Sequence, residues 1–316
     1  MTDWLRAIGD SRYSLVLDIS ECRLQKLPLE VQDGMPWLHT LNAKKNRIKE
    51  IPSDFSLSVA ALTQLDLSFN LLTFLPAICV ASLPLRILRL RGNSLFELES
   101  EALPSSLQHL DISKNNLVVL PLMSHLVSLL EFDASENQLV AVHDSLGCCI
   151  RLETLFLNDN QLLSFPLLHL PSLCHLDLTR NQLTSLPSLI GSECRQLREI
   201  RLAYNKLESL PESLSLCSHL SSLILRGNEQ LIFPPALLSL FHLSILDLEQ
   251  THPASPVNAQ HLPSDEVTLR KQLHAKKQLH SHSEKGKAVK GTGKEEQSPL
   301  TLMDEGEEEP PALFSW

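Results

Sequence analysis

From about residue 15 to residue 250 the apolar positions are almost all leucine, and they return at the same few offsets. The recurring string is L-x-x-L-x-L-x-x-N-x-L. It is read in LTQLDLSFNLL (62–72), LETLFLNDNQL (152–162), LCHLDLTRNQL (173–183) and LREIRLAYNKL (197–207). The slot usually filled by Asn is occupied in turn by Cys22, Asn46, Asn70, Asn93, Asn115, Asn137, Asn160, Asn181, Asn205, Asn228 and Thr251, at intervals of 21 to 24 residues. Self-similarity at this period predicts a repeat architecture of about eleven units, the last a degenerate cap.

Within each unit L-x-L has the period of two that a strand requires. Parallel strands need a crossover of a dozen or more residues, and the rest of the unit supplies it. The leucines are expected to point inward and stack on those of the next unit. The Asn stands at a sharp bend, where its amide can satisfy backbone groups left without partners. Leu-Pro pairs at Leu75-Pro76, Leu120-Pro121, Leu186-Pro187 and Leu210-Pro211 are expected to stop the strand from running on. Ala43 and Ala134 in place of the third strand leucine predict thinner turns, and N-E-Q-L at Asn228–Leu231, one residue longer than N-x-L, predicts a distorted turn before a closing strand at 243–248.

This pattern resembles the leucine-rich-repeat superfamily over roughly residues 15 to 250. The resemblance implies an α/β fold: a right-handed β-α superhelix, or solenoid, with a curved parallel sheet on its concave face. The L-x-x-L-P variant is similar to the intracellular Ras-group repeat proteins and unlike the shorter, more uniform repeats of bacterial effectors. It implies a signalling scaffold, with small-GTPase signalling as its setting.

A solenoid needs its ends covered. Trp4, Leu5 and Ile8 suit a short capping helix within residues 1–14, ahead of a solenoid at 15–252 that Leu237, Leu238, Leu240 and Phe241 help to close. At 253–316 the leucine period stops. Residues 270–294 carry eight bases against Glu284 alone, and residues 295–309 carry seven acids and no base. Blocked charge with few apolar residues predicts a disordered tail, apart from a basic helix at 264–280 opened by Ser264. The final residues, with Phe314 and Trp316, suit a PDZ-type groove.

Composition narrows the function. The chain is 43% hydrophobic but 5% aromatic, and its net charge of −10 argues against a nucleic-acid-binding body. Seven cysteines, no N-glycosylation sequon, no signal peptide and no run of 18 apolar residues predict a cytoplasmic chain without a membrane span. No phosphate loop, nucleophile elbow or metal-binding motif occurs, so a non-enzymatic protein without cofactor or metal is expected, and a monomer. The adjacent Cys148 and Cys149 are read as buried structural thiols, and His280 and His282 as solvated.

The middle residue of L-x-L must face away from the core. That column reads Asp18, Asn42, Asp66, Arg89, Asp111, Asp133, Phe156, Asp177, Arg201, Ile224 and Asp247. Asp is the common filler and is read as a solvated polar face, so the bulky departures carry more information. With the residues two and three places further on, they define two candidate partner-binding patches. One is basic: Lys44, Lys45, Arg89 and Arg91. The other is mixed: Phe156, Arg180, Arg201, Tyr204, Ile224 and Arg226. An acidic strip of Asp111, Glu131, Asp133, Glu136 and Asp159 separates them. Exposed aromatics and Arg are enriched at interface centres. The expected function is therefore a scaffold or adaptor binding other proteins on the concave face, the alternative being a regulatory or inhibitory subunit of one enzyme, a phosphatase or GTPase.

Overall fold

The computed structural model describes residues 15–251, apart from 233, 235, 238, 239, 241 and 250. The expected N-terminal cap, Leu238, Phe241, the charged tail with its 264–280 segment, and the C-terminal Phe314 and Trp316 lie outside the described residues.

Each unit contributes a three-residue strand centred on an inward leucine or its substitute. The strands are β1 (Val16–Asp18), β2 (Thr40–Asn42), β3 (Gln64–Asp66), β4 (Ile87–Arg89), β5 (His109–Asp111), β6 (Glu131–Asp133), β7 (Thr154–Phe156), β8 (His175–Asp177), β9 (Glu199–Arg201), β10 (Ser222–Ile224) and β11 (Ile245–Asp247). They form one parallel sheet in simple sequence order. The register aligns equivalent residues, so Leu110, Phe132, Leu155, Leu176 and Ile200 lie in one row. All are buried, with the L-x-x-L and N-x-L leucines around them. Phe132 supplies bulk in the unit where Ala134 gives volume up, and both are fully buried.

The return segments carry short helices: α1 (Leu29–Asp33), α2 (Phe55–Ser58), α3 (Ala77–Val80) and α4 (Ile190–Glu193), with 3₁₀ turns at Ser100–Ala102, Asp144–Cys148 and Glu212–Leu216. Pro28, Pro76 and Pro211 stand directly before such turns. Proline's fixed φ therefore opens the return segment as well as ending the strand. Packing there is close: a Cβ on Gly191, in α4, would lie 1.8 Å from the Ser213 carbonyl oxygen.

The asparagines hold the bends. From Asn46 to Asn228 each side chain is buried. Asn160 is representative. Its Oδ1 accepts from Leu139 N–H in the preceding unit at 3.0 Å, and its Nδ2 donates to Ala134 O at 3.0 Å and Leu157 O at 3.1 Å. These bonds support a feature that the leucine pattern does not announce. The residue before the slot has positive φ in ten successive units: Glu21, Lys45, Phe69, Gly92, Lys114, Glu136, Asp159, Arg180, Tyr204 and Gly227. A left-handed conformation costs a non-glycine residue about 1–2 kcal/mol. In the nine units from Asn46 to Asn228 the buried amide, closing three hydrogen bonds, holds the chain there; after Glu21 the slot is Cys22, whose thiol donates to Ser20 O at 3.2 Å.

Two expectations are corrected. The extra residue of the tenth unit does not disturb the stack. Asn228 keeps its bonds to Leu202 O and Leu225 O, and β11 pairs with β10 in register. The surplus is taken up in the turn before Ile232, which bridges to Ser209. Nor are Cys148 and Cys149 equivalent: Cys148 is exposed and Cys149 is buried, because the chain turns between them. Cys79, Cys149, Cys194 and Cys217 form a buried group whose thiols approach carbonyls of the preceding unit, at Ile51, Met123, Leu168 and Gly191. Burial pushes Cys149 up to about 12, Cys194 to about 11 and Cys217 to about 12.

Two measurements check this account. Asn160→Ala strands one buried donor, Leu139 N–H, and two carbonyl acceptors, Ala134 O and Leu157 O, and is expected to destabilise the protein by about 3 kcal/mol or more in urea unfolding; a loss below about 1 kcal/mol would mean that water replaces the amide. In thiol labelling at mildly alkaline pH, Cys148 should react promptly, whereas Cys149, Cys194 and Cys217 should react only on unfolding.

Candidate functional site: the concave sheet face

On each strand two residues flank the inward leucine, so the concave face has two columns where the sequence suggested one. The added column runs Ile87, His109, Glu131, Thr154, His175, Glu199 and Ser222 through the middle of the sheet. Across adjacent strands it pairs His109 Nδ1 with Glu131 Oε2 at 2.9 Å, and His175 Nδ1 with Glu199 Oε2 at 3.4 Å. The signal that could have revealed it is the alternation of the strand itself, since residues two apart share a face.

The Asp column does more than face water. Asp18, Asp66, Asp111, Asp133, Asp177 and Asp247 each accept the backbone N–H two residues on, at 2.8–3.1 Å, and Asn42 does the same for Lys44. These are Asx turns that shape the exit from each strand. Burial tends to raise the Asp18 carboxyl, but the hydroxyl and N–H of Ser20 and the Asn42 amide together hold it below its ordinary value. At Asp133 burial wins, aided by Asp111, and its carboxyl is pushed up despite Ser135 and Arg91. The four departures, Arg89, Phe156, Arg201 and Ile224, provide no such acceptor. Among the described residues no side chain caps the N–H of Arg91, Asn158, Ala203 or Arg226.

The mixed patch is assembled by the register. Phe156 on β7 and Arg201 on β9 flank Asp177 on β8, and Ile224 on β10 follows Arg201. Arg201 Nε lies 2.8 Å from Glu199 Oε1 and its Nη1 3.6 Å from Asp177 Oδ2. Burial works to lower the Arg201 guanidinium, but Glu199 and Asp177 outweigh it and raise it. Arg226 is held by Glu249 and lies 3.4 Å from Asp247. Arg180 sits 5.6 Å from the Tyr204 ring centroid and 3.4 Å from Asp159. Tyr204 in turn rests on Gly227: a Cβ there would be 2.6 Å from Tyr204 Cδ1.

The N-terminal residues meet differently. Lys44 lies 5.8 Å from the Phe69 ring centroid, and Phe69 covers Gly92 as Tyr204 covers Gly227. The same unit of cation, aromatic ring and Arg-Gly thus occurs twice, with rings 40% and 41% exposed. The basic patch itself is not a field of free cations. Lys45 pairs with Glu21 at 2.7 Å. Arg91 turns towards Ser113, Asp133 and Glu136, so it neutralises part of the acidic strip that was expected to stand apart. Arg89 alone of the four has no ion pair or ring contact among the described residues.

The fold and this surface define a class: an open-ended solenoid whose parallel sheet presents ordered polar and aromatic side chains along one face. A leucine rich repeat family model matches residues 171–229. The chain is 32% identical over 229 residues to adenylate cyclase of Schizosaccharomyces pombe, which covers 70% of this chain and 13% of that enzyme. The chain thus spans a small part of that relative. Among solved structures, the leucine-rich repeat domain of APL1B superposes with a TM-score of 0.66 at 22% identity, over 78% of this chain and 72% of that one. An internalin of Listeria monocytogenes superposes with a TM-score of 0.64 at 21% identity, over 75% and 68%. The chain is a leucine-rich-repeat protein. Such proteins are in general protein-interaction scaffolds.

The raised Asp133 carboxyl has a measurable sign. The folded state binds this proton more tightly than the unfolded chain, so the cost of Asp133 to stability sets in as pH rises above the unfolded value and is complete above the folded one. Asp133→Asn keeps an acceptor for Ser135 N–H and removes that cost. Its midpoint, relative to the unmodified protein, should be highest near neutrality and the difference should shrink as pH falls towards 4. A difference that grows towards acid would refute the assignment.

Proposed function

We propose that this chain is an intracellular, non-enzymatic scaffold or adaptor, acting in small-GTPase signalling, whose protein partner seats on the concave sheet around Phe156, Arg201 and Ile224. One observation carries this reading. At a position where Asp closes a turn, these units place an aromatic, an arginine and an aliphatic residue, and forgo a hydrogen bond worth about 1 kcal/mol. A sequence that gives up local stability in neighbouring units, and sets bulky groups there instead, has the marks of a binding surface. The cations support it. Arg201, Arg180 and Arg226 are already oriented by acids, so little side-chain freedom is lost when a partner arrives. A cytoplasmic setting is supported by seven free thiols. The same surface would serve a regulatory subunit of one enzyme; a fixed one-to-one complex on purification would favour that role over an adaptor.

Phe156→Asn tests the reading. The new side chain can cap Asn158 N–H as Asn42 caps Lys44, which offsets part of the lost ring burial. Stability should stay within about 1 kcal/mol, while recovery of co-precipitated partners should fall at least about tenfold, as for a hot-spot residue. Arg201→Ala should act in the same direction. If Asp111→Ala with Asp133→Ala abolishes recovery and Phe156→Asn does not, the site lies two or three units nearer the N-terminus.

A further inference from the structure

A second surface lies off the sheet, just past the asparagine bend. The residue three places after the Asn slot is exposed in every unit where it is read from Gln25 to Glu208. It is polar at Gln25, Lys49, Thr73, Thr184 and Glu208, so the fold does not require an apolar group there. In four consecutive units it is Phe96, Val118, Val140 and Leu163, exposed by 57%, 44%, 41% and 61%. The residues are neighbours in space: Val140 N–H donates to Val118 O and Leu163 N–H to Val140 O, each at 3.4 Å. Scattered exposed leucines are ordinary, but a continuous apolar row is not.

Two features identify what covers it. The first is charge. The segments 116–121, 138–142 and 161–166 contain no ionisable side chain, and Asn116, Gln138 and Gln161 edge the row with neutral amides; acids stand only at the Phe96 end, as Glu97 and Glu99. On a chain of net charge −10 an uncharged strip is the part of the surface that a second copy approaches with least repulsion, and an antiparallel contact sets the Phe96 end, with Glu97 and Glu99, against the uncharged Leu163 end. The second is order. The row reads large, Val, Val, large from either end. A two-fold axis between Val118 and Val140 sets Phe96 against Leu163 and Val118 against Val140, which is the self-complementarity of an isologous contact.

We infer that the Phe96–Val118–Val140–Leu163 row is the contact between two copies of this chain in an antiparallel, two-fold dimer. The row spans about 15 Å, three steps of the strand spacing. That is small against a standard interface, so the dimer is weak and forms in the micromolar range or above. The monomer expected from the sequence is the dilute state. The concave sheet face stays open in both copies, so the inference is independent of the partner reading above.

Sedimentation equilibrium of the full chain at rising concentration tests it. The expected result is a monomer–dimer equilibrium. Val118→Lys and Val140→Glu should each weaken association at least about tenfold, equivalent to 1.4 kcal/mol. The double variant should recover most of it, because the axis places the new lysine against the new glutamate. Glu208→Lys, two units away, should leave association unchanged, and equal thermal midpoints would show that all four variants fold. A chain that remains monomeric throughout overturns the inference. So does a double variant no better than either single one, which removes the two-fold register. Association seen only after residues 252–316 are deleted also overturns it, in favour of the chain's own C-terminal segment on the row.

Discussion

Most of this molecule hangs on one buried amide in each unit from Asn46 to Asn228. A chain that leaves a strand and turns sharply towards the far side of a solenoid strands carbonyls and an N–H away from water. The Asn side chain has an acceptor and two donor hydrogens, and it spends them on two carbonyls and the N–H of the preceding unit. The same bonds hold the residue before it in a left-handed conformation, even where that residue is Phe69 or Tyr204. Because each Asn binds the unit before it, cohesion passes from neighbour to neighbour, as expected of a one-dimensional stack.

The left-handed position shapes the rim of the binding face. It turns Phe69 and Tyr204 onto the backbone of the next unit, and in both cases the next unit has glycine where the ring comes down. With Lys44 and Arg180 near the rings, two similar clusters stand six units apart. Backbone geometry, ring placement and cation position are one arrangement, which explains why Arg-Gly occurs at 91–92 and at 226–227.

The concave face is also more balanced in charge than its residue list suggests. Arginines reach acids on neighbouring units, as Arg201 does to Asp177 and Arg180 to Asp159 on the unit before and Arg91 to Asp133 and Glu136 two units on. These pairs are partly open to solvent, which screens them, so each adds only modestly to stability. Their effect is orientation: each guanidinium is held in place, with donors left over for a partner.

The sequence determined the repeat number, the strand positions, the inward leucines and the role of Asn. These follow from period and from local hydrogen-bonding chemistry, which repetition makes visible eleven times over. It also placed Phe156, Arg201 and Ile224 together, because parallel in-register strands convert unit number directly into distance. Only the tertiary structure decided what depends on contacts between units or on side-chain direction. The left-handed column is signalled in sequence only by Gly92, Gly227 and Asp159, because the Glu, Lys, Phe, Tyr and Arg in its other places have no preference for it and are held there by their contacts. Cys148 and Cys149 differ by one residue and by the direction in which each points. Arg91 left its expected patch because a long side chain can cross two strands to find an acid. Phe96, Val118, Val140 and Leu163 are separated by some twenty residues each, and become a surface only when the solenoid winds one turn upon the next.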